Sequence, residues 1–279
     1  MALWVPPVHF VGTQNNLEAT PVTTGYGTLL TAAATANTKG AYSSGELISS
    51  TTYDTYMMCL VWDGTGVSNT NTSMLLDIGL GASGSETTII SNLLVGWTAD
   101  WVGALGGHHI YLPIFIPAAT RVAGRIQAAI GGDAMNLTIF LFQGASQVPW
   151  RTYVGMDDYG VDTATSRGTS HTPGNTGAES TWASVGSTAS RNYDALFFMT
   201  QGLAGVDTGM LSLSTHWEIG YSSTTFVEYW ERTTAAEITS GPIPTIPMPA
   251  SVPSGTQLQV RATASGTAEA RDVAIYGLY

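Results

Sequence analysis

The sequence predicts an all-β protein made of two tandem, jelly-roll-like antiparallel β-sandwich domains that arose by internal duplication. Three observations predict it. Apolar residues recur with period two in short runs, the pattern of half-buried strands. Those runs are broken by Gly, Asn, Ser and Thr, with 32 glycines in 279 residues, and these residues suit turns and strand faces rather than solvated helix faces. One phrase occurs twice, as PIFIPAATRVAGRIQA at 113–128 and as PASVPSGTQLQVRATA at 249–264.

The repeat sets the domain organisation, since a missed repeat misreads the fold. Pro113 pairs with Pro249, Pro117 with Pro253, Thr120 with Thr256, Arg125 with Arg261 and Ala128 with Ala264, each pair 136 residues apart. The register runs on into NLTIFLFQ and DVAIYGLY, where Ile139 matches Ile275 and Phe140 matches Tyr276. Upstream, Tyr53-Asp54 matches Tyr193-Asp194, and LLDIG at 75–79 matches HWEIG at 216–220. The expected boundaries are an N-terminal arm at 1–19, a first sandwich at 20–145, a linker at 146–157 and a second sandwich at 158–279.

In chain order, the first unit offers TYMMCLVW, SMLLDIGL, TIISNLLVGW, HHIYLPIFI, TRVAGRIQAAI and NLTIFLFQG as strands. The second offers NYDALFFMTQG, MLSLSTHWEIGY, TTFVEYWERT, TQLQVRATAS and RDVAIYGLY. TQLQVRATA alternates cleanly: Gln257, Gln259 and Arg261 point outward against inward Leu258, Val260 and Ala262. Pro117 and Pro253 belong at a strand boundary, because proline cannot donate to a ladder. The AAT and SGT that follow turn the chain, with Gly255 free to take positive φ and Ala119 standing where a glycine is expected. AAATAN at 32–37 and TTAAEI at 233–238 are the only candidate helical turns.

Composition excludes several function classes. Charged residues are 10% of the chain, the net charge is −11, and Lys39 is the only lysine. No basic cluster is present, so nucleic-acid and anionic-membrane binding are not expected. No apolar run reaches the length of a membrane helix. The N-terminal MALWVPPVHFVG lacks a basic n-region and is broken by Pro6-Pro7, so it does not read as a signal peptide. Cys59, the sole cysteine, lies in an apolar run and reads as a core thiol. A disulfide-free chain of this kind is expected to be made in a cytosol.

No chemistry rises above the fold, so no catalytic, cofactor-binding or metal residue is expected. His108 and His109 are adjacent on a strand and point to opposite faces. DDYGVD at 157–162 lacks the ligand spacing of a calcium loop and reads as a linker turn. Ser170-His171 has no nucleophile elbow around it. Glu228 and Glu231, in EYWE, are the best pair for a glycoside hydrolase. The first unit has no matching pair, and they read as strand charges beside aromatics. Trp97, Trp101 and Trp230 are the candidate ligand-facing aromatics, since tryptophan rings stack on sugars. In the arm, Trp4, Val5, Phe10 and Val11 have no place in either repeat and are expected to dock on a partner or to cover one sandwich edge. The sequons at 71–73 and 136–138 carry no meaning without a secretory route.

The phrase P-x-x-T-x-x-x-x-R-x-x-A, followed by a closing β run, resembles one found in structural proteins of tailed-bacteriophage particles. The resemblance covers the last third of each repeat. It implies a virion component, a capsid decoration (cement) or tail protein, made in the host cytoplasm. It also implies homo-oligomerisation, with a trimer as one option, and contact with other virion proteins such as a major capsid protein. The rival readings are a receptor-binding module for host-surface glycans and a polysaccharide hydrolase.

Overall fold

The computed structural model describes residues 10–16, 27–63, 73–95, 108–144, 151–202, 213–221, 224–233, 243–244, 247–266 and 270–279. They form β1 (Phe10–Asn15), β2 (Thr28–Thr31), β3 (Glu46–Ile48), β4 (Thr55–Asp63), β5 (Met74–Leu80), β6 (Thr87–Leu94), β7 (His108–Leu112), β8 (Val122–Ala128) and β9 (Ala134–Gly144). Then come β10 (Met156–Tyr159), β11 (Thr169–His171), β12 (Ala183–Thr188), β13 (Tyr193–Gly202), β14 (Leu213–Tyr221) and β15 (Thr224–Thr233). β16 (Ile243–Pro244), β17 (Met248–Val252), β18 (Gln257–Ala264) and β19 (Arg271–Leu278) complete the chain. Among the described residues the only helical segment is a 3-10 turn at Tyr42–Ser44, so AAATAN is not helical.

The strands build three sheets. A five-stranded sheet runs β1-β9-β4-β7, with β2 beside β1 on the same edge of β9. A ten-stranded sheet has the path β16-β13-β19-β10-β6-β5-β8-β3, with β11 and β17 as side members. A four-stranded sheet runs β12-β18-β14-β15. Every ladder between named strands is antiparallel except β10 against β6, which pairs Met156 with Ile90 in parallel.

The pairing shows the duplication strand by strand. Met58 on β4 sits between Leu112 and Leu141. Leu196 on β13 sits between Met248 and Gly277, the same partners 136 residues on. β1 and β2 flank β9 as β10 and β11 flank β19. β3-β8-β5-β6 recurs as β12-β18-β14-β15. The first unit is therefore β1 to β9, and the second is β10 to β19, with β16 inserted.

Two corrections follow. The expected arm (1–19) and linker (146–157) each overlap the first strand of a repeat, β1 and β10. FVGTQN and MDDY are short and mix apolar with polar residues without alternation, so periodicity does not mark them. The match of Tyr53-Asp54 to Tyr193-Asp194 is also out of register. Leu60 and Phe198 face the equivalent Ile139 and Ile275, so the offset in this strand is 138, and a bulge between Thr55 and Met57 shifts the start of β4. The role of Asp54, whose carboxylate accepts from Ala118 N at 2.8 Å, falls in the second unit to Asn192, which accepts from Ser254 N at 2.8 Å.

The repeated phrase makes the same turn twice. Ala119 N donates to Thr51 O at 2.7 Å, and Gly255 N donates to Ala189 O at 2.8 Å. Both residues are left-handed, Ala119 at φ 57° and Gly255 at φ 81°. The turn survives without its glycine, with a Cβ carried in a region L-residues disfavour.

The ten-stranded sheet is the shared middle layer. Met58, Leu60, Trp62, Leu137, Ile139 and Leu141 of the five-stranded sheet join Leu76, Ile78 and Ile126 in one core. That core continues along the same sheet face to Ala195, Phe197, Met199, Ala274, Tyr276 and Leu278. On the opposite face of β13 and β19, Leu196, Phe198, Val273 and Ile275 pack on Trp217, Ile219, Leu258 and Val260 of the four-stranded sheet. β19 is thus buried on both faces, which is why, after Arg271 and Asp272, residues 273–278 form a continuous apolar run rather than an alternation.

Candidate interaction face

The arginine of the repeated phrase builds a matched device in each unit. Arg125 on β8 lies directly across from Asp77 on β5, with its Nε 2.9 Å from the carboxylate. Arg261 on β18 lies across from Glu218 on β14, with Nε at 3.0 Å and Nη2 at 2.8 Å. Each guanidinium stacks on a ring: Arg125 on Tyr42 at 4.3 Å and Arg261 on Trp182 at 4.8 Å. Such stacking is worth about 0.5–1 kcal/mol where partly solvated. Asp77 also takes Lys39 Nζ at 2.6 Å and Asn92 N at 2.8 Å. Burial pushes the Tyr42 hydroxyl up to about 12, so the ring stays neutral beneath the cation. These groups pair with one another and tie neighbouring strands together.

At the joint between the units, Asn92 has φ 47° in the β6 bulge. Its amide donates to Asp158 at 3.1 Å, and Ser91 Oγ donates to the same carboxylate. Tyr276 Oη accepts from Leu94 N at 2.9 Å and donates to Asn92 O at 3.0 Å. The parallel seam is therefore a satisfied polar zipper above an apolar floor.

The outer face of the five-stranded sheet differs. Inward and outward residues alternate along β4 and β9. The set opposite the core is Met57, Cys59, Val61, Thr138, Phe140 and Phe142, with His109 and Tyr111 from β7 beside it; Cys59, as expected of its apolar run, and Thr138 are themselves buried, at 4% and 5% exposed. A solvated sheet face ordinarily carries polar side chains. Here Tyr111 is 51% exposed, and its ring lies 5.8 Å from His109 and 6.4 Å from Phe142. Leu29, on neighbouring β2, is also 51% exposed. Cys59 lies across from Tyr111, and burial pushes its thiol up, so the sulfur stays protonated and inert. The Cys59 sulfur and then burial raise the Tyr111 hydroxyl. The result is an uncharged aromatic patch that sequence reading missed. In TYMMCLVW both alternating sets are apolar, and nothing local says which one faces out.

Of the residues singled out from sequence, His109 and Cys59 belong to this patch. Trp4, Val5, Trp97 and Trp101 lie outside the described residues. Phe10 and Val11 lie on β1, and Phe10 pairs with Gly144 of β9. Trp230, Glu228 and Glu231 lie on β15, opposite His216, Glu218 and Thr215. His108 opens β7. His171 is buried, 2.8 Å from Ser180 Oγ rather than engaged with Ser170, and burial lowers its pKa. In DDYGVD, Asp157 binds Tyr193 Oη at 2.7 Å and Arg191 Nε at 3.0 Å, while Asp158 belongs to the joint. Among the described residues no group of three or more His, Cys, Asp or Glu is placed to hold a metal ion, and no helix is long and apolar enough to cross a membrane.

No protein-family model matches the chain, and no curated protein matches it. Among solved structures, the chain is similar to PNGF-II, with 8% identity and a TM-score of 0.42 over 95% of this chain. It spans 64% of the length of that protein. A chain from the atomic structure of Sulfolobus Turreted Icosahedral Virus gives 9% identity and a TM-score of 0.34, covering 96% of this chain and 90% of that one. The tandem CBM22-1-CBM22-2 domain of Paenibacillus barcinonensis Xyn10C gives 9% identity and a TM-score of 0.25, covering 95% and 91%. These scores are too low to equate the folds, and function rests on the chain's own geometry.

Proposed function

We propose that this chain is a non-enzymatic structural component of a bacteriophage particle, a capsid decoration or cement protein that assembles through its sandwich faces. The observation that carries the reading is the aromatic outer face around Tyr111 and Phe142. The eight residues named there carry no Lys, Arg, Asp or Glu in a chain of net charge −11, Tyr111 among them is 51% exposed, and exposed aromatic surface is a mark of binding sites. The single cysteine and the phrase that resembles one in phage structural proteins support the setting. Mass spectrometry of purified particles, with immunogold labelling, tests it. The chain is expected in stoichiometric amount, with gold over the heads. Its absence from particles would overturn the reading.

The same rings support a second reading, a tail-associated module that stacks host-surface glycans on Tyr111 and Phe142. Gold confined to tails, together with a saturable change in tryptophan fluorescence on glycan titration, would favour it over the first.

A further inference from the structure

The chain contains one inter-unit joint, and its two halves recur on the outside of the molecule. In the joint, β10 lies against β6 with Met156 beside Ile90. The face of β13 and β19 that follows, Ala195, Phe197, Met199, Ala274, Tyr276 and Leu278, is at most 1% exposed. The counterpart of β10 is β1: Asp158 pairs with Tyr276, as Asn15 pairs with Phe140. The counterpart of β6 is β15, since Ile90 pairs with Ile78 as Val227 pairs with Ile219. β1 and β15 are both terminal strands of their sheets. The counterpart of the buried β13–β19 face is Met57, Cys59, Val61, Thr138, Phe140 and Phe142, the outward face beside Tyr111.

We propose that a second copy of this chain docks here, head to tail, by repeating the internal joint. β1 of one copy lies parallel to β15 of the next, with Thr13 beside Val227 of the second copy, and the outer face of the five-stranded sheet is covered as β13 and β19 are covered within the chain. The inference deepens the assembly reading above and rests on it for its biological setting. Three features favour a second copy over another occupant. The chain already makes this contact with itself. Edge strands are ready templates for pairing. The outward positions of β4, β7 and β9 named above carry no Lys, Arg, Asp or Glu, and neither does β1, so Glu228 and Glu231 of the incoming β15 meet no carboxylate on the strand they would pair with. Such an interface is heterologous, and it generates a ring if the rotation closes and a filament if it does not.

Cysteine cross-linking tests it on the full chain. Thr13→Cys and Val227→Cys are made singly and together, and each variant's fold is checked by circular dichroism. Under mild oxidation the double variant is expected to give a ladder of disulfide-linked multimers, whose last rung gives the ring size. Each single variant alone stays uncross-linked, and a mixture of the two singles gives a linked dimer. Phe142→Glu is expected to cut cross-linking at least tenfold. Self-linking of Thr13→Cys alone, or a double variant that yields only monomer at high micromolar concentration, would overturn the joint. If the chain is monomeric in solution yet abundant in particles, the joint fails and the particle reading stands. If the ladder forms and particles lack the chain, the joint stands and the particle reading fails.

Discussion

In the second unit, Phe197 and Tyr276 lie fully buried beneath the first unit. In the first unit, Cys59 and Phe140 hold the same strand positions, Cys59 at 4% exposed and Phe140 only partly buried, beside the exposed Tyr111. The two strand pairs share equivalent partners and register, so the difference begins with their neighbours. One duplicated sheet serves once as the centre of a layered protein and once as its rim. The sequence has adjusted to each place: Phe197 fills a core where Cys59 suffices at the rim, and Tyr276 carries a hydroxyl that the joint uses and Phe140 lacks.

Tyr276→Ala against Phe140→Ala should give the largest contrast. A fully buried aromatic truncated to alanine costs about 3–5 kcal/mol, and the lost hydroxyl also orphans Leu94 N–H. Phe140 is half-buried and should cost about half as much by the same reasoning. Urea unfolding of the isolated chain measures both; equal losses would break the comparison.

The next contrast lies in the arginine devices. Asp77→Ala strips Lys39, Arg125 and the Asn92 amide of their shared acceptor, and should cost about 3 kcal/mol, the scale for breaking a buried charged pair. Glu218→Ala should cost less, about 2 kcal/mol, because Arg261 keeps Glu179 at 2.5 Å. If the order is reversed, the role given to Asn92 at the joint is wrong.

A pH contrast comes third. Asp272 on β19 stands where β9 has Asn136, and burial, only partly offset by Arg167, raises its pKa to about 6. A carboxyl with a raised folded-state pKa binds its proton more tightly folded than unfolded, so its contribution is present at low pH and lost as pH rises through about 6. Wild type should therefore gain on Asp272→Asn by about 1 kcal/mol between pH 7 and pH 5. Melting temperatures at the two pH values check the sign; a constant difference would remove this account of Asp272.

The smallest contrast swaps the turn residues. Gly255→Ala should cost roughly 0.5–1 kcal/mol, since a Cβ there meets nothing within 4 Å and the penalty is conformational alone. Ala119→Gly should be neutral or stabilising by up to the same amount. Thermal melts of both variants suffice, and a stabilising Gly255→Ala would contradict the shared turn geometry.

These contrasts also show what the chain spells out locally. β18 was legible because it is half-buried and alternates residue by residue. The offset of 136 held through the last two strands of each unit because they contain no bulge relative to one another. Further upstream, the β4 bulge defeated simple matching. β1 and β10 stayed hidden because four to six residues without alternation carry no periodicity, and their pairing is fixed by the edges of β9 and β19 instead. The interaction face was illegible because outward Met57, Cys59 and Val61 are as apolar as inward Met58, Leu60 and Trp62. Only assembly of the layers separates the two sets. Trp97, Trp101 and Trp230 drew notice because tryptophan is conspicuous in a sequence, whereas the patch that the fold exposes is made of tyrosine, histidine and phenylalanine.

Hydroxyl-radical footprinting of the isolated chain and of the assembled particle tests the central claim most directly. In the isolated chain, Tyr111 and Phe142 should label while Phe197 and Tyr276 stay silent. In the particle all four should be silent. Labelling of Tyr111 and Phe142 that is undiminished in the particle would contradict the claim that this face is an assembly surface.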